Sequence, residues 1–441
     1  MKRLGVASVL LICLAGAARA ATPLPLSVVP GPANDPAQTE YVQAGSLLAN
    51  PADGQVLHNK TLVVRNGQIV EIRDGFVGEG HVIDLRNKFV LPGLIDSHVH
   101  ICAENGPDDK MNRVTKTSAD LALDGAHFAW LTLEAGFTTV QDLGEDNNAI
   151  FSLRDAIARG MVPGPRIIAA GNVLSAPGGD GDVYGYRPDV MAAIRRPNIC
   201  SGAEDCRRLV REQVQRGADV IKFMATGSVL SDIPVGVDQQ FTEEEMKAIV
   251  ETAHALGRRV AAHAHGTAGI NAALRAGVDS IEHGTFLNDE SIKLFKEHGT
   301  YLVPTLLAGD TVTKWANDPN TFLSPVARQK ALLVGPEMLA MGHRAHEAHL
   351  KVAFGTDSSV SPHGENAREF ALMVKAGFSP LEAIQAATTN GADHLQLSKE
   401  VGSLAPGKQA DIVAVAGDPL NDVTILQHVV FVMKGGVIFK Q

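Results

Sequence analysis

Residues 92–100 read Pro92-Gly93-Leu94-Ile95-Asp96-Ser97-His98-Val99-His100. Apolar Leu94 and Ile95 lead into a run that ends on two histidines two positions apart. Alternation along a strand puts residues i and i+2 on one side, so both imidazoles emerge together at the strand's C-terminal end. A first strand of an open doubly wound sheet is expected to run into a glycine-rich dinucleotide loop instead. The histidines at this strand end favour a different parallel architecture.

Seven further apolar runs follow at 138–143, 166–174, 219–225, 260–265, 280–286, 301–307 and 352–357, and the first occupies 90–101. Helix-period stretches separate them. One of these opens Thr242-Glu243-Glu244-Glu245, a capping box in which the N-cap hydroxyl and the third glutamate satisfy each other's backbone N–H groups. Eight strands alternating with helices predict an α/β fold, a (β/α)8 TIM-type barrel over 89–396. Flanking it are short alternating strands with Asn66-Gly67, Asp74-Gly75 and Gly435-Gly436 turns. Neither flank closes a sheet alone, so 21–88 and 397–441 are expected to combine into one small β-sandwich.

Composition agrees with a folded chain of 441 residues, 45% hydrophobic and 20% charged. Roughly 150 residues per domain leaves room for one large core and one small one. Lys2 and Arg3, the apolar run 6–16 and Ala18-Arg19-Ala20 form a secretory signal, so 1–20 is expected to be removed and the protein to be periplasmic or secreted. Ile12 before Cys13 disfavours a lipoprotein site, and the run is too short to span a bilayer. Cleavage leaves 36 cationic and 49 anionic side chains, a formal charge of -13. With no basic cluster, no nucleic-acid partner is expected, nor any membrane association after cleavage. Cys102, Cys200 and Cys206 remain in an oxidising compartment. Cys200 and Cys206 either bridge a loop or stay as two free thiols.

Polar residues at strand ends are the candidates for chemistry, because barrel active sites sit at the C-terminal face. They are His98, His100, Lys222, His263, His265, His283 and Asp357. Imidazoles and carboxylates suit zinc-like divalent ions; taken alone, His98 and His100 could equally be two satisfied polar groups. Lys222 lies inside the apolar run Val220-Ile221-Lys222-Phe223-Met224, where a charge is costly. Burial lowers an amine's pKa, and a neutral amine can take up carbon dioxide as a carbamate with two ligand oxygens. A paired or snorkelling lysine is the alternative.

Together with Gly136-Phe137-Thr138-Thr139-Val140, Ala261-Ala262-His263-Ala264-His265-Gly266, Ser280-Ile281-Glu282-His283-Gly284, Gly355-Thr356-Asp357 and Pro406-Gly407-Lys408-Gln409-Ala410-Asp411, these residues resemble the amidohydrolase superfamily. The resemblance is to its binuclear branch with a carboxylated lysine, and it runs from Ala44 to the C-terminus. Within the branch the chain is most similar to the Xaa-Pro dipeptidase and metal-dependent carboxypeptidase group that includes ochratoxin-hydrolysing amidohydrolases. The resemblance implies two divalent ions, zinc by expectation. His98, His100 and Asp357 would hold one, His263 and His283 the other, and N6-carboxylated Lys222 would bridge them.

It further implies an amide or peptide bond as target, in dipeptides, C-terminal residues or N-acyl amino acids such as ochratoxin A, with Asp357 moving the proton. A cyclic amide, as opened by imidazolone- or dihydropyrimidinase-type relatives, is the alternative substrate; a solute receptor built on the same barrel is the non-enzymatic one. A homo-oligomer is implied as well. His265, Tyr184, Tyr186, Arg187 and His363 are assigned to substrate contact, Arg187 because a guanidinium pairs bidentately with a carboxylate. Asp180, in the flexible glycine loop 178–182, stands where relatives place a histidine. His343, His346 and His349 are expected on a partly exposed helix, and Cys102 in packing.

Overall fold

The computed structural model describes residues 38–233 and 236–441. The expected signal segment 1–20 lies outside them. Among the described residues no helix is long and apolar enough to cross a membrane.

Both chain ends do build one sheet. Strands β1 (Glu40–Leu47), β2 (Leu57–Arg65), β3 (Gln68–Asp74) and β4 (His81–Pro92) come from the first flank. Seven strands of the central region follow, then β12 (Ile412–Val415), β13 (Phe431–Lys434) and β14 (Val437–Lys440). The order is β14-β13-β12-β4-β1-β2-β3, with β1 parallel to β4 and β12 antiparallel to β4. Alternation sends Val42, Leu62, Ile83, Ile412 and Met433 into a single apolar core. The expected sandwich is thus one continuous hydrogen-bonded sheet, and it curls until its two edge hairpins meet. At that meeting Gly67 (φ 75°) and Gly436 (φ 77°) carry backbone too close for a side chain: a Cβ on Gly67 would lie 2.6 Å from the Gly435 carbonyl oxygen.

The expected first run, 90–101, is divided between two sheets. Pro92 ends β4, and β5 (Leu94–Val99) begins after Gly93. A Cβ at Gly93 would sit 2.2 Å from Thr138 Oγ1, so the crossing point admits only glycine. Next come β6 (Phe137–Asp142), β7 (Arg166–Ala169), β8 (Val220–Met224), β9 (Arg259–Ala264), β10 (Ser280–His283) and β11 (Tyr301–Val303). They form two parallel sheets, β5-β6-β7 and β8-β9-β10-β11.

Two margins join the sheets. Beyond β7 the chain bends at Gly171 (φ 70°), and Leu174 then pairs with β8 through its N–H to Lys222 O at 2.9 Å and its carbonyl to Met224 N at 3.0 Å. On the other side, 352–357 bonds to Leu302 of β11 and, through the Phe354 carbonyl, to Ser97 N of β5 at 2.8 Å. The eighth expected strand is therefore placed between first and seventh without becoming a regular strand, because Asp357 turns to φ 58°. Phe354 is fully buried there, 5.5 Å from Phe137 and 4.5 Å from Phe370. Removing a ring so placed costs about 3–5 kcal/mol.

The helices return between strands as patterned. Thr242 Oγ1 accepts from Glu245 N at 3.2 Å, and Glu245 Oε2 accepts from Thr242 N at 2.8 Å, closing the capping box on helix Glu243–Ala255.

Candidate metal centre

A cavity of about 560 Å³ opens at the C-terminal ends of the parallel strands. His98, His100, Lys222, His263, His283 and Asp357 all line it, as does His265. Strand alternation delivers His98 and His100 together, as their spacing requires, with ring centroids 5.4 Å apart. Their Nε2 atoms lie 3.4 and 3.2 Å from the same oxygen, Asp357 Oδ1. Left-handed backbone at Asp357 (φ 58°) and at His283 (φ 71°) aims these side chains inward. Such strain in non-glycine residues gathers at functional sites.

Hydrogen bonds on the far side of the rings decide which nitrogen faces the cavity. A carboxylate only accepts, so His98 Nδ1–H donates to Glu282 Oε2 at 2.8 Å and leaves the Nε2 lone pair free of hydrogen. His100 Nδ1–H donates in the same way to the Gly144 carbonyl at 3.0 Å. His283 Nδ1 bonds to Thr305 Oγ1 at 2.7 Å, and His265 Nδ1 to Thr285 Oγ1 at 2.8 Å. His263 is inverted, with Nε2 donating to the Gly227 carbonyl at 3.4 Å and Nδ1 left as the lone-pair nitrogen.

Burial, reinforced by neighbouring imidazoles and the Lys222 ammonium, holds His98, His263 and His283 well below the usual histidine pKa. Neutral imidazole is the form that ligates metal. Burial also lowers His265 to about 3. His100 goes the other way. Burial opposes its charge, yet the Asp357 hydrogen bond and the Asp357, Asp142 and Glu145 carboxylates carry it up to about 9. The field at that end of the cavity thus favours positive charge. Lys222, 2% exposed, is lowered by burial, while Glu282, Asp357 and Asp142 work against the shift.

The donor set fits divalent cations. Ligand atoms of His263, His265 and His283 lie within 4.8 Å of one another, and so do those of His98, His283 and Asp357. Neutral imidazoles, one carboxylate and a lysine in a carboxylate-rich field match nitrogen- and oxygen-preferring ions.

Other expected residues fall elsewhere. Arg187 is not at the cavity: it is 78% exposed and pairs with Asp189 at 3.0 Å, its loop turning it to solvent. Tyr184 and Tyr186 also lie off the cavity wall, the Tyr186 hydroxyl donating to the Lys110 carbonyl at 2.8 Å. His363 is buried behind that wall. It stacks on Phe128 at 4.7 Å, and its Nε2 bonds to the Ala103 carbonyl at 3.0 Å. Besides Lys222, the arginines and lysines that line the cavity are Arg113, Lys116 and Arg196. Of the histidine trio on helix Pro325–Glu347 and the residues after it, His343 bonds to the Ala376 carbonyl at 3.2 Å and His346 lies 3.4 Å from Glu382. Cys102 is a buried free thiol, and Cys200 and Cys206 form a disulfide.

Two features carried no role from sequence. Glu282 orients His98, and the only sequence cue was a carboxylate inside an apolar strand. Asp96 accepts from His98 N and Thr356 N, both at 3.1 Å, and from Thr356 Oγ1 at 2.6 Å and Asn366 Nδ2 at 2.8 Å. It thereby ties the segment bearing His98 to the one bearing Asp357.

Residues 89–439 match the Amidohydrolase family. The chain is 34% identical over 436 aligned positions to ochratoxinase of Aspergillus niger, covering 92% of this chain and 88% of that protein. Among solved structures, a Xaa-Pro dipeptidase with methionine bound in its active site superposes with a TM-score of 0.87 at 37% identity, over 92% of this chain and 100% of the other. The crystal structure of A. niger ochratoxinase gives 0.79 at 31%, covering 92% and 96%. A match over this much of the chain, on a cavity lined by the family's motif residues, makes the protein a member of the amidohydrolase family, in the group of the Xaa-Pro dipeptidases and ochratoxinase, and a hydrolase of carbon–nitrogen bonds.

Proposed function

We propose that the protein is an exported, binuclear metal-dependent amidohydrolase that releases an amino acid from a dipeptide, a peptide C-terminus or an N-acyl amino acid. The observation that carries this reading is the convergence of His98, His100, Lys222, His263, His283 and Asp357 on one cavity. The similarity to a Xaa-Pro dipeptidase and to ochratoxinase supports the choice of bond. The ring of parallel segments from β5 through 352–357 is read as the (β/α)8 barrel over 89–396, with the curled sheet built from the residues on either side. Export after loss of 1–20 and homo-oligomeric assembly belong to the same proposal.

His98, His100 and Asp357 would hold one cation, His263 and His283 the other, and Lys222, as its carbamate, would lie between them. When bound, such a pair supplies acidified water and polarises the substrate carbonyl. The rest falls to the chain. Burial would raise Asp357, but the hydrogen bond and the positive charge of His100 hold it below the usual carboxylate pKa, so it is ionised at neutral pH. It accepts the proton of the attacking water and delivers it to the departing nitrogen. Glu282 and Thr305 keep the His98 and His283 rings from turning. His265 borders the substrate.

Metal analysis of the purified protein, with amino-acid release measured across dipeptides and N-acyl amino acids, tests the reading. Release that stops with chelator and returns with zinc and bicarbonate is expected. Ring opening of cyclic amides with no amino-acid release, or hydrolysis indifferent to chelator, overturns it.

A further inference from the structure

Asp180 lines the cavity, and one of its carboxylate oxygens, Oδ1, is closed off from solvent with no hydrogen-bond partner. The neighbouring cavity carboxylates are engaged. Asp182 accepts from Gly178 N at 3.0 Å and Val183 N at 2.8 Å and pairs with Arg195. Asp109 accepts from Gly106 N at 3.0 Å, Glu104 from His363 N at 2.8 Å, and Glu145 from Cys102 N at 3.2 Å. A buried acceptor left without a donor is costly, and each such group in a folded protein calls for a reason.

Strain in a loose loop is not that reason, because the loop is held on several sides. Asp180 N donates to Gln240 Oε1 at 2.9 Å and Gly181 N to Ser175 Oγ at 3.1 Å, while the Gly181 carbonyl accepts from Asn198 Nδ2 at 2.9 Å. Nor does a protein cation complete the carboxylate. Lys330 feels the Asp180 charge through space, but its three donors are occupied by Ser228 O, Ser231 O and Ser231 Oγ at 2.6, 2.7 and 2.8 Å. A fixed, partly unsatisfied carboxylate facing the cavity that holds the reactive centre repels an anionic group and offers a charge-assisted bond to a cationic donor.

We infer that Asp180 is a specificity-determining residue that pairs with an ammonium or guanidinium group of the substrate. The inference rests on the reading of this cavity as an amide-hydrolysing site. The cation has two sources, a basic side chain or a free α-ammonium, and two pairs of non-hydrolysable probes separate them. Arginine and citrulline differ in a guanidinium replaced by a neutral urea; phenylalanine and 3-phenylpropanoate differ in the α-ammonium.

The test is calorimetric binding of all four probes to the metal-loaded protein and to its Asp180→Asn and Asp180→Glu variants. The native protein should prefer the cationic member of one pair, Asp180→Asn should reduce that preference at least tenfold, and Asp180→Glu should retain part of it. A native protein that prefers neither cationic probe, or a preference that survives Asp180→Asn, overturns the inference. Because the probes contain no scissile bond, this outcome is independent of whether amides are hydrolysed.

Discussion

The imidazole of His98 and the carboxylate of Glu282 meet at 2.8 Å across 184 positions of sequence. Ser280 Oγ holds the other carboxylate oxygen at 2.6 Å, so Glu282 is fixed before it fixes the histidine. Glu282 and His283 are consecutive, and strict alternation would send them to opposite faces. The left-handed backbone of His283 ends the alternation and lets both reach the centre.

Glu282→Gln preserves the shape of this contact but removes its charge, making His98 a poorer ligand. In the proposed centre, metal affinity should fall roughly 10–100-fold, the usual effect of losing a partner that orients a ligand. Metal retained after dialysis against graded chelator measures it. Unchanged retention would show that His98 needs no such support.

Lys222→Ala removes a buried amine whose desolvation opposes folding, at one end of a filled core. Its melting temperature in the absence of metal should therefore stay near that of the native protein. In the proposed centre, bound metal should fall below two equivalents and amide hydrolysis by more than about 100-fold, since the carbamate oxygens that Lys222 would supply could not form. Two retained equivalents with full turnover would refute the bridging role.

Strand ends were readable because polar residues closing apolar runs have few places to go in a parallel fold. His98, His100, His263, His283 and Asp357 line one cavity for that reason. Side-chain direction in the loops follows no period, so Arg187 points to solvent and Tyr184 and Tyr186 miss the wall, while Arg113 and Arg196, which line it, gave no signal. The role of Glu282 was hidden because its partner is remote in sequence. Likewise the single curled sheet depends on the contact of Gly67 with Gly435, two turns that each look like an ordinary hairpin.

Cys200 and Cys206 close a short loop that begins two residues after Asn198, which holds the Val173 carbonyl at 2.7 Å and the Gly181 carbonyl at 2.9 Å. A cross-link of this span is worth about 2 kcal/mol through the unfolded chain. The paired substitution Cys200→Ser and Cys206→Ser should lower stability by about that amount and weaken substrate binding through the loop bearing Asp180. Urea midpoints and KM report the two effects, and a gain of two hydrogens in mass on reduction verifies the bond. A double variant equal to the native protein in both would leave the disulfide without consequence.

His394 supplies a pH dependence away from the ligand set. Burial, with the Arg259 charge, lowers its pKa to about 3. Its Nε2 bonds to Gln141 Oε1 at 3.3 Å, and Nδ1 is buried with no partner. The ring is therefore neutral when folded. Unfolded, it takes up a proton near pH 6.5, so between about 6.5 and 3 the unfolded chain binds more protons and stability falls as pH falls. Going from pH 7.5 to pH 5, this one residue accounts for a loss of about 2 kcal/mol. His394→Phe keeps an aromatic ring beside Tyr301, which lies 5.2 Å from the histidine, and abolishes the proton uptake. Its urea midpoint should therefore decline less on acidification than that of the native protein; equal declines would mean that the buried ring is already charged in the folded state.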